Sequence, residues 1–431
     1  MKLLQKLLAR NQNPDRPFLV DGDQALSLRA VAETPVACAD IAPGEVVALI
    51  GDFDVRSIAL LLALVDKKAV IMPLSEASAP QHPYFFEAAG ASVVIREGKM
   101  TRLPQPPSAH PLVLALRERE HAGLILFSSG STGLPKAILH DFSAFLARYD
   151  TPRPAWTTLN FLLFDHIGGL NTLFHTMYNG GLVVRPSGRT PAAVTADIRR
   201  HQVELLPATP TFLRLWALEG IPAPQSLPSL RLVTYGTERM DQHTLSRVAQ
   251  ALPGVDIRQT YGMSELGILR VRTRRRDELW IQVGGEGVES RVMDGELYLR
   301  TRNRMEGYLN APSPFDEEGW YATKDVVECD EDWIRIVGRR DNLINVGGLK
   351  VLPAEVEHAA LQFPGVRFAR ARSGANPLTG MHVELLCEFG EGVEPDKNAL
   401  SRHLRAVLPP HAVPRRISFG KVPVGHRYKQ L

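Results

Sequence analysis

Short, wholly apolar runs recur along this chain, and they constrain its fold more than any other feature. Residues 46–50 read VVALI, and similar runs return as AVIMPL at 69–74, SVVI at 92–95 and GLILF at 123–127. A strand with one wet face alternates apolar and polar residues, whereas a strand without alternation must be covered on both faces. Many of the runs are followed by a segment with helical spacing, such as the stretch through Ile58–Val65, which would supply that cover. The pattern predicts α/β architecture on largely parallel, buried sheets. From about Glu278 the character changes. WIQV, SRVMDGELYLR and later DWIRIVGR read as short antiparallel strands separated by glycine and aspartate turns. Beyond Gly338–Asp341 come a helix from about Pro353 to Gln362, the strand-like HVELLCEF and a further helix from Asp396. That remainder is long enough for a small α+β domain. The chain is expected to divide into residues 1–340 and 341–431.

Composition removes several classes of function. Fifty basic residues against 47 acidic ones give a net charge of +3, too small for an overall nucleic-acid footprint. Arg270, Arg272, Arg274, Arg275 and Arg276 cluster, but without interleaved aromatics they read as a solvated face of a β-rich stretch, with a contact to an anionic partner as a lesser alternative. The longest apolar run, Ile58–Val65, is far short of the roughly 20 residues of a membrane helix. MKLLQKLLAR at the N-terminus reads as an amphipathic helix, because Gln5 and Lys6 interrupt any signal-peptide core. Cys38, Cys329 and Cys387 form no CxxC pair and are expected as thiols in a reducing compartment, the cytoplasm. No membrane insertion is expected.

The sharpest local feature follows the run at 124–127. There Ser128, Ser129, Gly130, Ser131, Thr132 and Gly133 form a loop of small and hydroxylated residues that ends in Pro135 and Lys136. Glycines let backbone N–H groups come close, hydroxyls donate further hydrogen bonds, and the lysine adds positive charge. Those are the requirements for cradling a polyphosphate. The spacing is not the GxxxxGK[ST] of P-loop NTPases.

SSGSTGLPK resembles the phosphate-loop signature of the adenylate-forming superfamily, which holds acyl-CoA synthetases, peptide-synthetase adenylation domains and firefly-type luciferases. Further strings resemble that family's motifs in the same order: YGMSE at 261–265, GELYLR at 295–300, MEGYLN at 305–310, GWYATKD at 319–325, and GRRD at 338–341 followed by Gly347 and Gly348. The resemblance runs roughly from Leu124 to the C-terminus and is faint before it. It implies a large N-terminal domain of stacked α/β sheets with a distorted β-barrel, and a small mobile C-terminal domain.

The resemblance also implies roles. Ser129 to Gly133 and Lys136 would hold the β- and γ-phosphates of ATP, and Glu265 would help place Mg²⁺, which favours oxygen ligands. Ser264 stands where the family has threonine. Gly236, Thr237 and Glu238 would line the adenine, Tyr261 and Gly262 would flank it, and Asp325 would accept from both ribose hydroxyls. Arg339 would contact ribose or phosphate, and Lys350 is a further candidate for phosphate. Lys324 departs from a family glycine. His166 and Gly168, in FDHIGG, would border the carboxylic acid substrate. There the acid that holds an ammonium in amino-acid-activating members falls on Asp165 or His166 according to the alignment. Lys429, with His426 and Lys421 as neighbours, would bridge the carboxylate and the α-phosphate. Asp341 would be the hinge, and Gly347 and Gly348 would border the thiol channel.

The function implied is ATP-dependent adenylation of a carboxylic acid with release of pyrophosphate, then transfer to a thiol, that of CoA, giving a thioester. Two alternatives stay open at this point. One is loading of an acyl or aminoacyl group onto the pantetheine of a carrier protein. The other is a nucleotide-binding relative without ligase activity, which the irregular C-terminus and Lys324 would suit.

Overall fold

The computed structural model describes residues 2–11, 13–104, 108–128, 133–285, 287–376 and 380–425. Two seven-stranded sheets carry most of its apolar runs. The first runs in the order Gly307–Tyr308, Ala137–Asp141, Gly123–Phe127, Val70–Leu74, Val46–Ile50, Val93–Arg96, Lys99–Arg102. Its four inner strands from Gly123–Phe127 to Val93–Arg96 are parallel, and the strands outside them are antiparallel. The second runs Asp256–Gln259, Leu232–Tyr235, Leu205–Ala208, Thr157–Leu159, Leu182–Val184, Pro17–Asp21, Gln24–Ser27, parallel except for its last pair.

The reason for the unbroken apolar runs is visible in how VVALI is used. Val47 and Leu49 enter the core between the two sheets, while Val46, Ala48 and Ile50 enter the core on the outer face. The inner core also takes Leu19 and Val183 from the second sheet and the buried faces of the helices Val55–Asp66, Phe142–Ala147 and Ile167–Tyr178. Those helices are therefore sandwiched between sheets. Each fully buried leucine or valine there contributes roughly 1.5–3 kcal/mol. The helices Pro191–His201, Pro210–Glu219 and Gln242–Ala251 cover the outer face of the second sheet.

The change of character near Glu278 corresponds to a six-stranded antiparallel sheet ordered Val271–Thr273, Ile281–Val283, Trp333–Arg339, Tyr321–Asp330, Glu296–Thr301, Val288–Met293. It has its own small core and stands where a distorted barrel was expected. After it, Ile344–Val346, Leu349–Val351, Val366–Asn376, Gly380–Phe389 and Arg416–Phe419 form a five-stranded sheet. The helices Pro353–Leu361 and Lys397–Val407 pack on it around a separate core, and Asp396 caps the second of them.

Not all of the arginine cluster is a solvated face. Arg276 donates to the carbonyls of Ala249, Leu252 and Val255 just beyond the helix Gln242–Ala251, an arginine cap on exposed helix carbonyls. Arg274 pairs with Glu278 and Asp330 at 2.7 and 2.6 Å and lies over the Trp280 ring. Cys38, Cys329 and Cys387 are free thiols. Among the described residues, no helix is long and apolar enough to cross a membrane.

The sandwiched helix Val55–Asp66 depends on one local device. The Asp54 carboxylate accepts from the Ser57 N–H at 2.9 Å and from its hydroxyl at 2.7 Å. Asp54→Ala should destabilise the protein by about 1 kcal/mol, and Asp54→Asn by less. Urea unfolding of both variants checks this.

Candidate active site

The two ends of the hydroxyl-rich loop are tied together. The Ser128 N–H donates to the Lys136 carbonyl at 3.1 Å, and the Lys136 N–H donates to Ser128 Oγ at 3.0 Å. Asn310 holds the exit of the loop. Its Oδ1 accepts from the Ala137 N–H at 2.8 Å, and its Nδ2 donates to the Pro135 carbonyl at 3.1 Å. Tyr84 donates to that same carbonyl at 2.8 Å. Ser129, Gly130, Ser131 and Thr132 lie outside the described residues, as do His426 and Lys429. Gly133 and Lys136 are exposed beside them.

Next to Asn310, the short strand Gly307–Tyr308 pairs with Ala137–Asp141. This puts the Tyr308 ring beneath Lys136, with Nζ 4.8 Å from the ring centre, and its hydroxyl donates to Glu265 Oε1 at 2.8 Å. Burial, and then the charge of Glu265, hold the Tyr308 phenol far above its usual range, so it stays a donor. Glu265 is buried, and its backbone carbonyl accepts from Met305. The Ser264 carbonyl accepts from His140 Nε2 at 2.6 Å. Burial lowers the pKa of His140 to about 4, which leaves a neutral imidazole that donates from Nε2.

Asp325 joins the same region. Tyr261 Oη donates to Asp325 Oδ2 at 2.5 Å, and Arg339 Nε lies 3.7 Å from Oδ1. Asp325 and Arg339 face each other across neighbouring antiparallel strands, and Arg339 also donates to the Thr323 carbonyl at 3.1 Å. Tyr321 lies within reach of the charges of Glu265, Asp325 and Arg339. Lys324 takes φ +65°, the left-handed conformation that a glycine would adopt without strain. Its N–H donates to Glu296 Oε1 at 3.1 Å, which helps hold the turn. The departure from glycine therefore leaves the Asp325 carboxylate in place.

The segment after Tyr235 is shaped for a close approach. A Cβ on Gly236 would stand 2.2 Å from Thr260 Oγ1, so only bare backbone fits there. Thr237 has φ +76°, a strained value for a β-branched residue. Its hydroxyl is shut off from solvent with no hydrogen-bond partner among the described residues. A buried hydroxyl without a partner fits a site completed by a polar ring edge. Glu238 lies beside them but turns to the helix Pro210–Glu219, where it accepts from the Thr211 N–H at 2.8 Å. In the ribbon Tyr261–Met263 with Gly267–Leu269, a Cβ on Gly262 would meet the Gly267 carbonyl at 2.4 Å.

His166 caps the helix Ile167–Tyr178, with Nδ1 accepting from the Gly168 N–H at 2.9 Å. A Cβ on Gly168 would meet the Leu162 side chain at 2.6 Å and His166 Nδ1 at 3.0 Å, so the two side chains pack closely over this glycine. The neighbouring Asp165 is buried and accepts from Ser75 Oγ at 3.0 Å. Asp341 is exposed in the 3₁₀ turn Arg340–Asn342, between the six-stranded and five-stranded sheets. Gly347 and Gly348 have φ +60° and +89° at the turn joining Ile344–Val346 to Leu349–Val351, the two positive values of a tight hairpin. Lys350 is exposed on that hairpin.

Lys136 and Glu265 thus meet at Tyr308, Asp325 meets Tyr261 and Arg339, and Tyr321 lies near both carboxylates; Tyr308 and Tyr321 had been given no role. Tyr308 and Asn310 were visible inside MEGYLN, whereas Tyr84 and His140 carried no sequence signal at all. Among the described residues, no three His, Cys, Asp or Glu side chains cluster as a metal cage. Mg²⁺ commonly takes one or two carboxylates plus phosphate oxygens and water, so Glu265 alone fits that ion.

Burial raises the pKa of Asp325 despite the opposing effects of Tyr261 and Arg339. The folded protein then binds this proton more tightly than the unfolded chain, so ionising Asp325 costs stability as pH rises through the carboxylate range. Without nucleotide, Asp325→Asn should melt higher than the wild type near neutral pH. The gap should close towards about pH 4. Melting curves across that range test the sign.

A family profile described as AMP-binding enzyme matches residues 8–309. The match reaches far upstream of Leu124, where the sequence motifs are faint. Feruloyl-CoA synthase of an Amycolatopsis species is 26% identical, with 88% of this chain and 86% of that protein covered. Sulfoacetate–CoA ligase of Cupriavidus necator is 25% identical over 95% and 92% of the two chains. A medium/long-chain-fatty-acid–[acyl-carrier-protein] ligase of Mycobacterium tuberculosis is 30% identical over 57% and 52%. Among solved structures, ATP-bound MatB from Rhodopseudomonas palustris superposes with a TM-score of 0.82 at 19% identity, covering 99% of this chain and 96% of that one. The amide bond synthetase McbA from Marinactinospora thermotolerans gives 0.79 at 22% identity, over 99% and 97%. With the profile spanning well over half of its length, the chain belongs to the AMP-binding enzyme family.

Proposed function

We propose that this enzyme activates a carboxylic acid with ATP and passes the acyl group to a thiol. A carboxylate oxygen attacks the α-phosphorus, the bond to the β-phosphate oxygen breaks, and pyrophosphate leaves. A thiolate then attacks the acyl carbon of the adenylate and AMP leaves, giving the thioester. The observation that carries this reading is the grouping of Lys136, Glu265 and Asp325 around Tyr308, Tyr321 and Tyr261. A cation beside the phosphate loop, a buried carboxylate next to it and a carboxylate suited to a diol are what ATP needs at its two ends.

In this reading Lys136 neutralises charge on the phosphates, and the Tyr308 hydrogen bond orients the Glu265 carboxylate. Mg²⁺, when bound through Glu265 and phosphate oxygens, would supply further charge neutralisation. Asp325 receives the ribose hydroxyls, exchanging part of its Tyr261 contact for them, and Arg339 adds positive charge beside it. Gly236 and Thr237 form the adenine wall, with Tyr261 and Gly262 at its edge. His166 and Gly168 border the acid. Asp165 is engaged by Ser75, which fits an acid without an ammonium group better than an amino acid. CoA is the favoured thiol because the relatives covered along most of their length are named for CoA. A carrier-protein pantetheine is the second reading, supported by the acyl-carrier-protein ligases among the relatives. We place the protein in the cytoplasm, in keeping with its free thiols.

The division at residues 338–341 and its mobility belong to this proposal. Its support is the separate core of the five-stranded sheet and the exposed turn that holds Asp341. Rotation there would exchange Lys429, at the adenylating centre in one state, for Gly347 and Gly348 beside the thiol in the other.

Pyrophosphate release across a panel of acids, with and without CoA, tests the function. No release with any acid would overturn it, and release that ignores CoA would favour a carrier protein. Lys429→Ala should lower adenylation about 100-fold or more, while thioester formation from a supplied acyl-adenylate stays largely intact. Asp341→Pro should do the reverse by stiffening the turn, and single-turnover assays of each half-reaction separate the two.

A further inference from the structure

Arg148 is an outlier among the arginines of this protein. It ends the helix Phe142–Ala147, and its Nε and Nη1 are shut off from solvent without a hydrogen-bond partner among the described residues. Its guanidinium carbon lies 4.9 Å from the centre of the Phe145 ring. Other enclosed arginines are matched: Arg214 pairs with Asp241 at 2.6 Å and Arg185 with Asp21 at 2.8 Å. Arg189 and Arg239 each leave one nitrogen unmatched, yet both donate to a carbonyl. Arg291, also with one unmatched nitrogen, lies near Asp316 and Glu318. A guanidinium cannot escape by losing its proton, so enclosing one without an acceptor is strongly unfavourable. Such a group is expected where something else brings the acceptor.

The position of Arg148 identifies what that is. A Cβ on Gly267 would stand 2.6 Å from both Nη1 and Nη2, so the end of the guanidinium points at the backbone two residues beyond Glu265. The strand Gly267–Leu269 packs on the helix Ile167–Tyr178, which His166 caps. On its other side, Tyr149 donates to Asn171 of that helix at 2.9 Å. His140, which holds the Ser264 carbonyl, is near enough for the charge of Arg148 to oppose its protonation. Arg148 therefore lies against the strand that follows Glu265, and that strand packs on the helix assigned to the acid.

We propose that Arg148 binds a second anionic group on the acid that this enzyme activates, so that its substrate is a dicarboxylic or similarly dianionic acid. The proposal rests on the adenylation reading for the fate of the first carboxylate. Arg148 offers the enclosed N–H groups of Nε and Nη1 to the remote oxyanion as charge-assisted donors. A monoanionic acid of the same length would leave the guanidinium enclosed and unmatched, and sites of that kind discriminate steeply.

The test pairs acids of equal length, aliphatic and aromatic, with and without a terminal carboxylate, and includes acids with a terminal sulfonate. For the wild type, kcat/KM for pyrophosphate release should favour the best dianionic acid over its monoanionic partner by at least about 100-fold. Arg148→Met should abolish that preference by losing the dianionic acid while keeping or improving turnover of the monoanionic one. Arg148→Lys should retain part of it. Without ligands, Arg148→Met should melt at or above the wild-type temperature, whereas an arginine required for folding would give a fall. Equal use of both acid types by the wild type, or a preference that survives in Arg148→Met, overturns the proposal. A preference for sulfonates over carboxylates would keep the anion site and change the remote group. A thermal shift on adding each acid separates this proposal from the adenylation reading. Protection by dianionic acids that depends on Arg148 supports the anion site even if no pyrophosphate is released, and no protection by any of them, with no release, overturns both.

Discussion

The contact on which the rest of the site depends is the hydrogen bond from Tyr308 to Glu265, made beneath the Lys136 ammonium. It exists because two residues of chain, Gly307–Tyr308, leave the neighbourhood of the antiparallel sheet and add themselves to the edge of a largely parallel one. That edge strand, Ala137–Asp141, is the direct continuation of the phosphate-loop candidate. A single pairing thereby brings Lys136, Glu265 and Asn310 within one hydrogen-bond network. The lysine lies over the face of the ring and the carboxylate takes its hydroxyl. Lys136 stays exposed, and Glu265 is held in place by the Tyr308 hydroxyl.

A second constraint is the sandwiching of three helices between two sheets. It fixes the helix Ile167–Tyr178 and its cap His166 beside the first sheet, although the strands that lead into this helix belong to the second. The second glycine at its start is dictated by that packing. A Cβ on Gly169 would meet the Leu163 carbonyl at 2.2 Å. The acid side of the site is thus built from rigid elements, while Ser129 to Thr132 and the tail beyond Gly425 lie outside what the structure describes.

Two of the residues with positive φ fall where ligands are inferred. Thr237 combines a positive φ with a buried hydroxyl that has no partner, and Lys324 holds a left-handed turn next to Asp325. Asp325 is itself buried at the expense of its ionised form. A protein optimised only for stability would replace such residues, and their clustering along one line is consistent with stability given up for binding. Arg148 extends the same logic to the strand that follows Glu265.

The sequence alone determined an α/β architecture on buried, largely parallel sheets, because strands buried on both faces leave unbroken apolar runs whatever their partners. It also marked the switch to antiparallel strands near Glu278, the helices after Pro353 and Asp396, and Lys136, Glu265 and Asp325 as members of one site, since local motifs keep their spacing. Tertiary structure alone decided what lies between those motifs. Tyr84, His140 and Tyr321 come from separate strands and helices, and contacts across such separations depend on sheet order and register, which leave no local trace. The same holds for Arg148: one more arginine at the end of a short helix is unremarkable in sequence, and only packing against Gly267 and Phe145 makes it an enclosed cation without an acceptor.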